Sequence, residues 1–166
     1  GLEYFEQQHL NDNLFPLSGF SNKKTINCNE NGYYSIFQSD RFGFNNPDTE
    51  WDSDDIEFLL VGDSFTIGSC VNRPHDIGSK LRQLSNKNVL NLGYVANGPL
   101  FQYATLREYL DKKVKNIIWL YYENDIFNLD RDLKSKILLK YLKDKNFSQN
   151  LKFKQGKMDN ALTKFL

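Results

Sequence analysis

Two histidines and two cysteines are all that this 166-residue chain holds of the side chains that most often accept protons near neutral pH or bind transition metals. Cys28 and Cys70 stand too far apart for a zinc-type ligand spacing, so one disulfide or two buried thiols accounts for them, and neither reading fixes a compartment. No apolar run approaches the roughly 18–20 residues of a membrane span, and no signal peptide is evident. Net charge is zero, which argues against nucleic-acid partners, since those proteins carry a basic excess. Internal repeats and low-complexity tracts are also missing. The chain begins Gly1-Leu2 without a methionine and stops at Phe165-Leu166 in mid-pattern, so a piece of a longer protein is expected.

The length suits one domain with a real core, burying about two-thirds of its unfolded surface. Charge is unevenly spread: residues 1–62 hold 3 basic and 11 acidic side chains, and residues 130–166 hold 10 basic and 4 acidic. Solvated faces, or faces that meet one another, account for that asymmetry. Residues 1–50 are rich in Asn, Gly, Asp and aromatics. Tyr33–Phe37 reads as a short strand, and Phe42, Phe44 and Trp51 as rings capping a core beneath irregular chain, with a sugar-stacking surface as the alternative.

From Trp51 onward the pattern becomes regular. Phe58–Val71 reads FLLVGDSFTIGSCV, an apolar run that stops at Gly62-Asp63-Ser64 and marks a strand over Ile56–Val61 buried on both faces. A loop follows, then a helix over His75–Leu84 with Ile77, Leu81 and Leu84 on its inner face and Pro74 in its first turn. A strand over Asn88–Leu92 ends at Gly93. Gly98-Pro99 opens a second helix with Leu100, Tyr103, Leu106 and Leu110 inward. A third strand, Asn116–Tyr121, ends at Glu123-Asn124-Asp125, and Leu129, Leu133, Ile137, Tyr141 and Leu142 form a helical stripe. This alternation predicts right-handed βαβ units: an α/β fold of three layers, α/β/α, around a parallel sheet of flavodoxin-like order, incomplete as it stands. The expected organisation is an irregular segment over residues 1–50 packing on the core, the α/β core over 51–146, and the start of a C-terminal part over 147–166.

In a parallel sheet all strand carboxyl ends share one edge, where ligands bind. Ser64 offers that edge a hydroxyl nucleophile, Gly93 a backbone N–H with no Cβ in the way, and Asn124 a carboxamide donor. Those are the requirements of acyl transfer: a nucleophile, and donors for a developing oxyanion.

Gly62-Asp63-Ser64-Phe65, Gly93 within Asn91-Leu92-Gly93-Tyr94, and Asn124-Asp125 resemble the first three blocks of the SGNH (GDSL-type) hydrolases. Residues 33–142, including Ser39–Pro47, are similar to a bacterial branch of that superfamily. The resemblance implies a serine esterase working through an acyl-enzyme on small-molecule or carbohydrate esters, O-acetyl groups among them, without a cofactor. Ser64 is then the nucleophile, its own N–H with Gly93 and Asn124 the oxyanion hole, and Asp63 and Asp125 are loop-bracing acceptors.

The chain departs from the family in two places. Glu123 precedes Asn124 where the family carries a glycine. The family's base, a histidine in a C-terminal Asp-x-x-His block, has no counterpart, and truncation before that block is the expected cause. His75 is expected to be a surface histidine at a helix start, and His9 a bystander. The same residues also fit an O-acyltransferase on surface glycans or a catalytically silent SGNH-like binding module. Ser64-Phe65-Thr66-Ile67-Gly68-Ser69 faintly fits a flavodoxin-like phosphate or flavin loop.

Overall fold

The computed structural model describes residues 14–30 and 32–164; His9 and the start of the expected irregular segment lie outside them. The chain first forms an antiparallel hairpin, β1 (Lys24–Cys28) against β2 (Ser35–Gln38). The strand expected at Tyr33–Phe37 is thus displaced by a residue or two, and its partner β1 carried no sequence signal. A 3-10 turn over Asp48–Asp52 seats Trp51 in the core and leads into β3 (Asp55–Val61). Next come a single turn of helix, α1 (Ser64–Ile67), then α2 (Ile77–Ser85), β4 (Val89–Asn91) and α3 (Pro99–Tyr109). β5 (Lys113–Trp119), α4 (Asp125–Asp132), α5 (Lys136–Lys143), a 3-10 turn at Leu151–Phe153 and α6 (Gln155–Thr163) complete the order. No helix among the described residues is long and apolar enough to cross a membrane.

The result is a mixed α/β fold around a three-stranded parallel sheet in the order β4-β3-β5. β3 is central, and Ile56, Leu59, Leu60 and Val61 are fully buried, as a strand covered on both faces requires. The core joins Leu59, Val61, Leu90 and Leu92 of the sheet region to Phe101, Ala104 and Tyr109 of α3. Phe42, Phe44 and Trp51 surround the Tyr109 ring, with Phe44 edge-on to it at 4.9 Å. These three rings therefore cap the core and offer no stacking platform.

Two helices depart from the expected faces, α2 at Ile77 and Leu84, and α3 at Leu110 and in its polar row. In α2, Ile77 and Leu84 are exposed, while Gly78 is buried and Arg82 donates to the Val89 carbonyl at 2.6 Å. The small residue lets the helix approach the sheet, and the guanidinium meets the carbonyl there. In α3 the expected row holds at Leu100, which is buried, and at Tyr103 and Leu106, which pack against the core, whereas Leu110 is exposed; Phe101, Gln102, Ala104, Thr105, Glu108 and Tyr109 are buried as well. Here polar groups turn inward because they organise loops. Glu108 accepts from the Tyr141 hydroxyl (2.5 Å), the Gln149 N–H (2.6 Å) and the Leu151 N–H (2.7 Å), fastening residues 141–151 onto α3. The stripe expected over residues 129–142 is two helices, because Ser135 caps the second by accepting from the Leu138 N–H. Leu151 and Met158 are fully buried in the same core, so residues 147–164 belong to it.

Cys28 and Cys70 form a disulfide that ties β1 to the loop behind α1, one of the two arrangements the sequence allowed. It closes a loop with a sequence separation of 42 residues. The chain-entropy relation assigns such a loop about 4 kcal/mol. The Cys28→Ser, Cys70→Ser double variant is expected to lose roughly that much unfolding free energy in urea titration, with its secondary structure retained. A loss below about 1 kcal/mol would show that the hairpin is held by its other contacts.

Candidate active site

The ladder hydrogen bonds continue to the carboxyl ends of all three strands. Leu92 N–H donates to the Leu60 carbonyl at 2.9 Å, Leu120 N–H to Val61 at 2.9 Å, and Tyr94 N–H to Gly62 at 3.3 Å. Gly62–Ser64, Gly93–Tyr94 and the loop before Asn124 therefore arrive at one sheet edge. The Phe65 and Tyr122 rings, neighbours of Ser64 and Asn124, meet there at 4.6 Å.

Ser64 is the first residue of α1 and is half-buried. Asp63 caps that turn by accepting from the Phe65 N–H at 3.0 Å. Among the described residues the Ser64 hydroxyl makes no hydrogen bond, and its N–H is one of the orphan donors of a helix start. Gly62, at φ +156°, lets the strand turn into the helix where a side chain would strike Thr66 and the Leu120 carbonyl.

Gly93 has a different role from the one implied. Its N–H is engaged by the Asn91 side-chain oxygen at 2.8 Å. A Cβ on it would stand 2.5 Å from the Ile67 nitrogen and 2.7 Å from the Thr66 Cβ. Gly93 lets β4 lie directly against α1. The next polar turn holds Ala96 in the left-handed region at φ +56°, and Arg131 donates to its carbonyl.

Asn124 precedes α4 with helical dihedrals and makes no side-chain cap. Its carboxamide oxygen is buried without a hydrogen-bond partner, and its nitrogen makes no hydrogen bond among the described residues. Asp125 is buried and braces the loop, accepting from the Tyr122 N–H at 2.8 Å and from Gln102 at 3.0 Å. Glu123 is exposed. His75 is exposed just before α2, and its ring makes no hydrogen bond to Ser64.

Several site-building residues escaped the sequence reading. Gln102 connects two loops: its amide donates to Asp125 and, at 3.4 Å, to the Asn97 carbonyl, while its oxygen accepts from the Trp119 indole at 2.6 Å. Asn97 is buried and donates to the Gly62 carbonyl at 3.3 Å. Asp132 caps α3 from the end of α4, accepting from the Phe101 N–H at 2.9 Å; burial pushes its carboxyl above the usual carboxylate range. The Asn91 carboxamide donates to the Thr66 carbonyl at 2.5 Å, and Asn45 donates to that of Ile67 at 2.8 Å, so α1 is held at its carboxyl end. The one available signal was periodic. Gln102, Thr105 and Glu108 recur every third residue beside Phe101 and Tyr109, a polar row on a helix face that had to be buried.

Asp63 Oδ2, Thr66 Oγ1, Asn97 Oδ1 and Asn124 Oδ1 are all buried without partners among the described residues. Four such groups near one strand edge are costly unless a ligand or water completes them. No protein-family model, curated protein or solved structure matches the chain.

Proposed function

We propose that this chain carries the nucleophile-bearing part of an SGNH-type serine esterase that acts on acyl esters, O-acetyl groups of carbohydrates among them. The observation that carries the reading is that the Ser64 hydroxyl, just past the central strand, and the Asn124 carboxamide nitrogen, in the loop after β5, both make no hydrogen bond among the described residues. The sheet order β4-β3-β5 supports a three-layer, flavodoxin-like arrangement. Gln102 of α3 reaches Trp119, while Arg82 of α2 bonds the outer edge of β4.

In the proposed reaction Ser64 Oγ attacks the acyl carbonyl and forms a C–O bond while its proton passes to an imidazole base from outside the described residues. The developing oxyanion is met by the Ser64 N–H and the Asn124 carboxamide. The ester C–O bond then breaks, the leaving alkoxide takes the proton, and water releases the acyl group from Ser64 by the reverse sequence. A sugar hydroxyl in place of that water makes the same site an O-acyltransferase. A catalytically silent binding module is favoured by a separate observation, the engagement of the Gly93 N–H by Asn91.

Free imidazole separates the readings. Without it, p-nitrophenyl acetate hydrolysis should differ little between the wild-type chain and Ser64→Ala. With it, the wild-type chain should exceed Ser64→Ala, and Asn124→Ala should lose about a hundredfold of that Ser64-dependent rate, the usual loss for one oxyanion donor. Equal rates for wild type and Ser64→Ala in imidazole would favour the silent module.

A further inference from the structure

Each member of the buried polar row in α3 bonds something different. Glu108 fastens residues 141–151, and Thr105 donates to the Phe101 carbonyl one turn back at 3.0 Å. Gln102, fully buried near the start of the helix, is the member that meets the candidate site. Both ends of its carboxamide are used. The oxygen accepts from the indole of Trp119, the last residue of β5, at 2.6 Å. The nitrogen donates to Asp125 Oδ1 at 3.0 Å and to the Asn97 carbonyl at 3.4 Å.

The two acceptors belong to opposite halves of the site. Asp125 Oδ2 accepts from the Tyr122 N–H at 2.8 Å, and the Asp125 N–H donates to the Tyr122 carbonyl at 3.0 Å, which closes the turn that carries Asn124. Asn97 donates through its side chain to the carbonyl of Gly62, at 3.3 Å, in the turn that leads into Ser64. One buried side chain therefore connects the two turns. Replacing matched polar partners by apolar groups of the same shape is close to neutral for stability, so stability alone does not call for a carboxamide here.

We propose that Gln102 is a positioning residue of the esterase site, a role that rests on the esterase reading: it sets the turn that carries Asn124 against the turn that carries Ser64. It acts through Asp125 and Asn97 and touches no reacting atom. Small misplacements of catalytic groups lower rates steeply, because the reacting atoms must meet in a narrow range of geometry.

Two readouts test the role, with circular dichroism and thermal midpoints reporting the fold of each variant. One is the Ser64-dependent hydrolysis of p-nitrophenyl acetate in imidazole; the other, independent of chemistry, is amide hydrogen exchange at Gly62–Phe65 and Tyr122–Asp125. Gln102→Met keeps the side-chain length and removes its bonds. It should lower kcat by about tenfold or more with KM little changed, and quicken exchange in both turns. Gln102→Glu sets a carboxylate against Asp125 and should lose at least as much. Adding Asp125→Asn exchanges donor and acceptor at constant net charge and keeps an acceptor for the Tyr122 N–H. That double variant should regain most of the lost rate, with wild-type exchange at Tyr122–Asp125, and it decides the matter if Gln102→Met does not fold. Unchanged exchange in either turn of Gln102→Met, or a double variant no better than Gln102→Glu, would overturn the positioning role. A wild-type rate equal to that of Ser64→Ala would overturn the esterase reading and the catalytic purpose of the link, while the exchange data still judge the link itself.

Discussion

Alanine at position 40 is expected to unfold the protein or leave it barely stable. Asp40 is completely buried, and its carboxylate accepts from the N–H groups of Phe42 (2.9 Å) and Phe44 (3.0 Å), the Asn46 amide (2.8 Å) and the Trp51 indole (2.8 Å). Burial pushes its pKa up, and the four donors pull it back. Removing the acceptor strands all four donors in the interior. At about 1–3 kcal/mol for each unsatisfied group, partly relieved by rearrangement, the loss is about 4 kcal/mol or more. A domain of this size has only about 5–15 kcal/mol in total. Urea unfolding followed by circular dichroism measures it, and a loss below about 1 kcal/mol would show that the Ser39–Pro47 segment does not organise the fold. The consequence reaches the site, because Asn46 also bonds the Asn91 backbone and Asn45 bonds Ile67 of α1.

Gly93→Ala should be nearly as damaging for a steric reason. The new methyl would stand 2.5 Å from the Ile67 nitrogen and 2.8 Å from the Thr66 carbonyl carbon, both backbone atoms of α1. A backbone cannot swing aside as the end of a flexible side chain can. Overpacking of this kind costs about 1–3 kcal/mol, and the upper end applies where backbone must move. Ser64 belongs to the displaced turn, so Ser64-dependent chemistry should fall further than stability does. If the variant melts within a degree or two of wild type, the close approach of β4 to α1 is not obligatory.

Much of the fold and part of the site can be read from the chain. The apolar run ending at Gly62-Asp63-Ser64 predicts a central strand, and the structure has β3 there with Ser64 opening the next element. Asp63 accepts from the Phe65 N–H and Asp125 from the Tyr122 N–H, each within its own loop. Periodicity misplaced the inner face of α2 and missed the polar row of α3 because Arg82, Gln102 and Glu108 turn inward to bond groups of distant segments. A count of apolar residues assigns such side chains to solvent. The hub at Asp40 and the disulfide depend on partners far along the sequence, which local pattern does not carry. Gly93 was singled out as an oxyanion donor; in the structure its N–H donates to the side chain of a residue two positions earlier, and its missing Cβ serves the close approach to α1.

The most direct test of the acyl-transfer account is chemical. The chain is incubated with an activated acetyl ester and imidazole, quenched in acid and mapped by peptide mass spectrometry. The account predicts an acetyl group on Ser64, in the peptide spanning Gly62–Gly68, that is reduced in Asn124→Ala. Acetylation confined to lysines, with Ser64 unmodified, would contradict it.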